Sequence, residues 1–349
     1  MENQEESGAL TVDEQAEQGS ALLAGMHRTV LRFSAIRALV AIGVPEQLRE
    51  GPRSAADLAD RCQADASALT RLLRTTASTG LMRTVAPGTY ELTGAGQALL
   101  DGTELLRTRH SGNPEMWASL GELTETARTG RAPFLDRFGS TYNYLSTRPA
   151  GSAVFDALMT SLYESVAISL TQASVLPETG TIADIGGGKG TFLAAFLKAE
   201  PELRGVLLEM PRSVEVAREY LAEEGVADRA EVVAGDFFAA VPAGAQAYLL
   251  SHIIHNWSDK ESADILRVVR SAIPADGRLL VVDMVLPDDD REHYAKDLDI
   301  RMLASFDGKE RSEAEFAELL DSAGFRLDQV IDLDVAGECV IVASPVPAA

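Results

Sequence analysis

The chain has 349 residues, 46% of them apolar, and a formal net charge of −22, enough length for two or three domains and enough apolar material for a sizeable core. So acidic a chain is repelled by nucleic-acid phosphates and by anionic membrane surfaces, which leaves a small molecule or another protein as the expected partner. Its two cysteines, Cys62 and Cys339, form no CxxC pair, and neither a signal peptide nor an apolar run of bilayer length stands out, so a reduced, cytoplasmic setting with no metal site and no membrane is expected.

Residues 1–20 hold six acids and no Lys or Arg, and read as a frayed acidic tail. From Ala21 the apolar residues Leu22, Leu23, Met26, Val30 and Phe33 recur at helical spacing, continued by Ile36, Leu39 and Val40 until Gly43 and Pro45. A short helix capped by Ser54, a turn around Asp65, a second amphipathic helix over Ser67–Thr79 and a hairpin across Pro87-Gly88 then give the winged-helix pattern. Residues 103–178 are mostly helical, broken near Asn113-Pro114 and Ala132-Pro133. From residue 179 the rhythm is strand–helix–strand. The strand candidates are Thr181–Ile185, Gly205–Glu209, Ala230–Val233, Ala247–Ile253 and Arg278–Val285, and the sequence closes on a hairpin of Leu327–Asp334 and Glu338–Ala343. This alternation predicts an α/β domain with a mostly parallel sheet, helices on both faces and an antiparallel edge.

The stretch TIADIGGGKGTFLAAFL is strand, glycine turn, helix. Gly186, Gly188 and Gly190 allow a tight turn and close approach to a ligand. Their G-x-G-x-G spacing after Asp184 departs from the G-x-G-x-x-G of pyrophosphate binders and suits a ligand with an amino-acid end, such as S-adenosylmethionine. Glu209 ends the second strand, where a carboxylate can accept both hydroxyls of a ribose. Asp236 follows the third strand and can accept from an adenine amino group, with Phe237 packed on the ring. These are the carboxyl ends of three successive strands, where open α/β sheets bind ligands.

Carried by ADIGGGKG (183–190), LLEMP (207–211), GDFF (235–238), SHIIHNW (251–257) and DGKERSEAEFAELLDSAGF (307–325), the chain resembles the class I S-adenosylmethionine-dependent O-methyltransferases of the plant caffeic acid type. It is most similar to their bacterial branch, which modifies aromatic polyketides and other natural products. The resemblance spans about residues 20–345. It implies a winged-helix-like dimerisation domain (21–102), a helical linker and substrate lid (103–178) and a Rossmann-like cofactor domain (179–345), assembled as a homodimer through the N-terminal domain and not binding DNA. It makes His255 the general base, with Asp283 and Glu310 as flanking acids. Glu209, Met210, Asp236 and Phe237 become cofactor contacts with Asp184, Gly186 and Gly188, joined by Ser251 and Trp257. Phe155 and Met159 become apolar substrate contacts, with Tyr142, Asn256, Arg301, Met302 and Ser305 as further substrate candidates.

Ser251 and Asn256 stand where many members have Lys and Asp, and Asp307-Gly308 replaces the usual Gly-Gly. Asn256 and Arg301 are similar to the anthracycline-type subgroup, several of whose members lack the histidine and some of which transfer no methyl. This chain keeps His255. The implied activity is O-methylation of a hydroxyl on an aromatic or polyketide-like metabolite. The alternatives are a same-fold enzyme that rearranges or hydroxylates, and a winged-helix regulator, which the acidic charge disfavours.

The two histidines of SHIIHNW separate on geometry. His252 falls inside the strand pattern Ala247–Ile253 and reads as a supporting residue. His255 falls beyond it, on the loop before the capping box Ser258–Glu261, where a base facing a cofactor would stand. A neutral imidazole suits proton removal near neutral pH, with a carboxylate on its far nitrogen to fix the tautomer.

Overall fold

In the computed structural model, residues 11–335 and 337–347 are described, apart from the side chains at positions 142, 143, 146 and 149. The chain divides into two compact units, residues 1–113 and 114–349. The helical segment expected over 103–178 is shared between them.

The first unit begins with α1 (Val12–Ala41). Its start is fixed by Thr11, whose hydroxyl accepts from the Glu14 N–H while the Glu14 carboxylate accepts from the Thr11 N–H at 2.8 Å. Residues 12–20, expected as part of a frayed tail, are therefore helical; residues 1–10 lie outside the description. Then come α2 (Val44–Gln47), β1 (Arg53–Ser54), α3 (Ala55–Arg61), α4 (Ala66–Ala77), β2 (Met82–Ala86), β3 (Thr89–Leu92) and α5 (Gly102–Ser111). The helix–turn–helix–hairpin order matches the sequence reading, and β1 adds a third strand beside β3. Leu39, Val44, Leu58, Leu69, Leu73, Met82 and Tyr90 form the core. Along α1, however, Leu22, Leu23, Met26, Val30 and Leu31 are exposed in the single chain.

The second unit opens with five helices, α6 (Pro114–Leu120), α7 (Leu123–Thr129), α8 (Pro133–Phe138), α9 (Thr141–Ser146) and α10 (Pro149–Gln172). The alternating part follows as β4 (Gly180–Ile185), α11 (Thr191–Ala199), β5 (Leu203–Glu209), α12 (Val214–Glu223), β6 (Ala230–Ala234), β7 (Ala247–Ser251), α13 (Asp259–Ala272), β8 (Arg278–Leu286), α14 (Tyr294–Ser305), β9 (Arg311–Ser312), α15 (Glu313–Ser322), β10 (Phe325–Asp332) and β11 (Glu338–Pro345). The sheet runs β10-β11-β8-β7-β4-β5-β6, parallel except where β11 joins β8 and β10 joins β11, and β9 pairs with the end of β8. Period-two alternation divides the strand residues between two cores. Ile182, Leu207, Leu249, Leu280 and Val282 meet α10, α11 and α12; Ala183, Leu208, Leu250, Leu279 and Val281 meet α13 and α15.

Two expectations need correction here. The strand bearing the histidines stops at Ser251, one residue before His252, because His252 turns into the left-handed region at φ +53°. And one helix segment, Ala150–Gln172 within α10, is in fact long and apolar enough by composition to cross a membrane. Its Val166, Ala167 and Leu170 are buried with Phe192 and Leu193 of α11, while most of the segment is half-buried or exposed in the single chain.

Candidate active site

The glycine turn sits at the carboxyl end of β4. Gly186, Gly188 and Gly190 all have positive φ, and a Cβ at Gly186 would press on Ile253 and Phe237. The Asp184 carboxylate lies wholly buried beneath Gly187, where any side chain would collide with it. Burial, reinforced by Glu209, pushes its pKa up to about 7. Glu209, at the end of β5, accepts from the N–H groups of Met210 at 2.8 Å and Gly188 at 3.0 Å, which ties the glycine turn to the next strand. Burial raises the Glu209 carboxyl above its ordinary range and those two hydrogen bonds oppose it. Asp236 is exposed just past β6, and Phe237, Phe238 and Trp257 form an edge-to-face group with Phe238–Trp257 centroids 4.8 Å apart. Met210 is exposed, and the buried Ser251 hydroxyl has no hydrogen-bond partner. A glycine cradle, a carboxylate at its rim and an unsatisfied hydroxyl meet at adjacent strand ends, an arrangement that fits a small ligand with an amino-acid head and an adenosine tail.

His255 follows β7 in a short helical turn (Ile254–Asn256) and is buried. Its Nδ1 lies 2.9 Å from Glu310 Oε1 and 3.8 Å from Asp283 Oδ1. Burial alone would lower its pKa; Asp283, Glu310 and the more remote Glu338 outweigh burial and raise it to about 9. Asp283 is completely buried near the end of β8, and burial pushes it up to about 7 against the pull of His255. The three residues assigned to proton chemistry are thus brought together. His252 is buried too, stacked on Tyr163 at 3.9 Å, and burial together with His255 drives its pKa well below the ordinary value. One atom each of His252, His255 and Asp283 falls within 4.8 Å of the others, compact enough to surround a cation. Because His255 Nδ1 is already committed to Glu310, the arrangement is better described as an imidazole held by acids.

What holds His255 in place is a clamp that the sequence reading passed over. Arg311 has no solvent exposure. It donates to the carbonyls of Ile254 and Trp257, both at 3.1 Å, to Asp259 Oδ1 at 2.8 and 3.0 Å, and to the Ser262 hydroxyl at 3.3 Å. Gly308 approaches the same loop so closely that a Cβ there would overlap the His255 carbonyl oxygen. Asp299 of α14 accepts from the Glu310 N–H at 2.9 Å. Asn256, expected at the substrate, spends its side-chain N–H on the His252 carbonyl at 2.7 Å, which secures the left-handed turn. Arg311 lies inside the DGKERS run, and nothing local in that run marks it as buried; its acceptors on the His255 loop and α13 come from 49 to 57 residues upstream.

The other acceptor-side candidates scatter over α9, α10 and α14. Phe155 packs against a cluster of Phe134, Phe138, Tyr144 and Leu145, and Met159 is half-buried. Met302 and Ser305 lie on the buried face of α14, where the Ser305 carbonyl accepts from the Thr141 hydroxyl at 3.1 Å; Arg301 is half-buried on the same helix. The Tyr142 side chain lies outside the description.

Comparison with known proteins places this geometry in context. A family model for the O-methyltransferase domain matches residues 117–326, and one for the O-methyltransferase dimerisation domain matches residues 25–102. The solved mitomycin 7-O-methyltransferase MmcR superposes with a TM-score of 0.89 at 33% identity, over 95% of this chain and 99% of that one. The O-methyltransferase NcsB1 from neocarzinostatin biosynthesis was solved in complex with S-adenosylmethionine and 2-hydroxy-5-methyl naphthoic acid. It superposes with a TM-score of 0.78 at 30% identity, over 89% of this chain and 95% of that one. Aclacinomycin 10-hydroxylase RdmB of Streptomyces purpurascens is 33% identical over 318 residues, 84% of this chain and 81% of that one.

Two outcomes follow from the geometry alone. Removing the Arg311 guanidinium leaves the Ile254 and Trp257 carbonyls and the Ser262 hydroxyl short of a donor, while the exposed Asp259 keeps Lys309, so Arg311→Met loses about 2–4 kcal/mol of unfolding free energy. Lys309→Met, in an exposed ion pair, loses at most about 1 kcal/mol. Urea denaturation of the two variants checks the contrast, and equal losses would refute the clamp. The second outcome concerns pH. His255, raised to about 9 from 6.5, contributes stability that is complete below 6.5 and gone above 9. Asp283 and Glu338, pushed up to about 7 and 8, add a loss that runs from their ordinary values near 4 up to those values, so most of it is over by pH 7 to 8 and the fall above that is set by His255. The melting temperature therefore falls between pH 6.5 and 9.5, less steeply in His255→Gln; a flat or rising profile contradicts it.

Proposed function

The chain belongs to the O-methyltransferase family, with its methyltransferase and dimerisation domains both present, and from that premise we propose the reaction in residue-level terms. The protein methylates a hydroxyl oxygen on an aromatic or polyketide-like small molecule, with His255 as the base. S-adenosylmethionine supplies the electrophilic methyl group. The observation that carries this reading is the 2.9 Å contact between His255 Nδ1 and Glu310, with Asp283 on the same nitrogen. It commits Nδ1 to donation, so that Nε2 is left to take the acceptor's proton while the oxygen attacks. Protein groups align the two reactants, which accounts for much of the rate in a displacement that needs little further chemistry.

Asp184, Gly186, Gly188, Glu209, Met210, Asp236, Phe237, Ser251 and Trp257 would hold the cofactor, with Glu209 on the ribose and Asp236 toward the adenine. Phe155, Met159 and α14 would line the acceptor side, where Arg301 suits a carboxylate or carbonyl. With its pKa near 9 the resting imidazole is largely protonated at neutral pH. His255 would lose that proton more readily with a positively charged sulfonium bound in the site, which would raise the share of its base form. The exposed apolar residues Leu22, Leu23, Met26, Val30 and Leu31 of α1 suit the face through which a second copy packs.

A second reading, a non-methylating step on the same scaffold, is favoured by the hydroxylase RdmB among the relatives. A panel of hydroxylated aromatics, assayed by mass gain and S-adenosylhomocysteine release, decides between them. Methyl transfer predicts stoichiometric S-adenosylhomocysteine. His255→Ala lowers kcat by about 100-fold or more and leaves S-adenosylmethionine affinity within about threefold. Glu209→Ala weakens that affinity severely. The kcat of the wild-type enzyme rises as pH is raised from 6.5 toward 9. Full activity in His255→Ala with no S-adenosylhomocysteine would establish the second reading.

A further inference from the structure

His252 and Glu338 have no part in the mechanism above, yet they extend its buried group of titratable side chains inward, at separations just beyond hydrogen-bond reach. Glu338 opens β11, opposite Met284 of β8, and its carboxyl is 6% exposed. Its Oε2 has no hydrogen-bond partner, and it lies 3.7 Å from His252 Nε2, which has none either. The other nitrogen of that ring, Nδ1, lies 3.9 Å from Asp283 Oδ1. That oxygen is the same one that lies 3.8 Å from His255 Nδ1. Glu338, His252, Asp283, His255 and Glu310 therefore form a continuous buried series drawn from β11, the loop after β7, β8 and the strand β9 approach.

The His252 ring has little freedom to leave this series. Tyr163 stacks on it with planes 15° apart, and its backbone is fixed in the left-handed turn that Asn256 secures. The donor and acceptor assignment is then constrained. Asp283 serves His255 as a carboxylate, so the favourable tautomer of His252 points Nδ1–H at it and leaves a lone pair on Nε2. That lone pair faces a carboxyl oxygen at 3.7 Å, and a small side-chain rotation closes the gap to a hydrogen bond only if the carboxyl carries the proton. An ionised Glu338 would face a lone pair and two further carboxylates in an apolar setting. Burial and Asp283 do hold Glu338 in its acid form, pushing it up to about 8.

We propose that Glu338, as a neutral acid, donates to His252 Nε2 and so fixes the His252 tautomer that presents Nδ1–H to Asp283, the carboxylate that orients the His255 base. Glu338 and His252 are positioning residues: neither touches the reacting atoms, and no proton need travel the series in turnover. The inference rests on the methyltransferase reading with His255 as base, and its test separates the two.

Full-length protein with ¹⁵N-labelled histidine reports each ring's tautomer in two-bond ¹H–¹⁵N spectra, with His252 assigned by its loss in His252→Gln. The wild type shows His252 as a single Nδ1–H tautomer. Glu338→Ala loses that signature, and its kcat on the fastest acceptor of the panel falls about tenfold, the size of one buried hydrogen bond, with the S-adenosylmethionine KM within about twofold. Glu338→Gln, which keeps an N–H donor on the same nitrogen, restores both the signature and most of the kcat. An unchanged tautomer in Glu338→Ala overturns the proposal, as does an unchanged kcat. A Glu338→Gln variant as slow as Glu338→Ala also overturns it and assigns Glu338 a role as a charge. If His255→Ala instead proves fully active, the base assignment falls while the tautomer result stands by itself.

Discussion

One guanidinium without solvent contact sets the spacing of the whole proton-handling group. Arg311 reaches back 57 residues to the Ile254 carbonyl and 54 to that of Trp257, the two residues that bracket the His255 turn. Glu310, its immediate neighbour, is the acid on His255. The 2.9 Å contact between base and acid is therefore the free end of a rigid link whose other end is the guanidinium. Taking a cation out of water is expensive, and only a set of acceptors matched to its fork offsets it. Asp259 and three neutral oxygens form that set. Any loosening leaves a buried charge unpaired, so the loop has a steep energetic reason to remain where it is.

The same physics separates two histidines that look alike in sequence. Asp283 lies almost equally far from both rings, 3.8 Å from one and 3.9 Å from the other. Glu310 breaks the symmetry by bonding only to His255. Burial then dominates at His252 and the acids dominate at His255, and their proton affinities move in opposite directions. A pair of titratable groups pushed apart in this way is a common mark of a site that moves protons.

Local signals carried the cofactor half of the site. The glycine spacing, the acids at successive strand ends and the capping box at Ser258 each lie within a few residues of what they specify, and the parallel order of the strands followed from their alternation with helices. The winged-helix pattern of the first unit was legible for the same reason. Distance in sequence hid the rest. His252 reads as strand because Leu249 and Leu250 precede it and Ile253 follows. Its left-handed turn depends on Asn256 and on the close approach of Gly308, which only the fold supplies. Arg311 reads as one more surface charge until its acceptors are seen together, and Glu338 as the polar start of an apolar strand. The acidic start of α1 was mistaken for a tail because acids near a helix N-terminus favour a helix even where apolar periodicity is absent.

The pair Asp307-Gly308 acquires a meaning from the close approach described above. Position 307 faces solvent and position 308 faces the His255 carbonyl oxygen, with no room for one more carbon. Sequence drift is thus free at the first position and forbidden at the second. In a library randomised over both, survivors would vary at 307 and remain glycine at 308, and the enzyme's ancestry would be written more faithfully in the glycine than in the acid beside it.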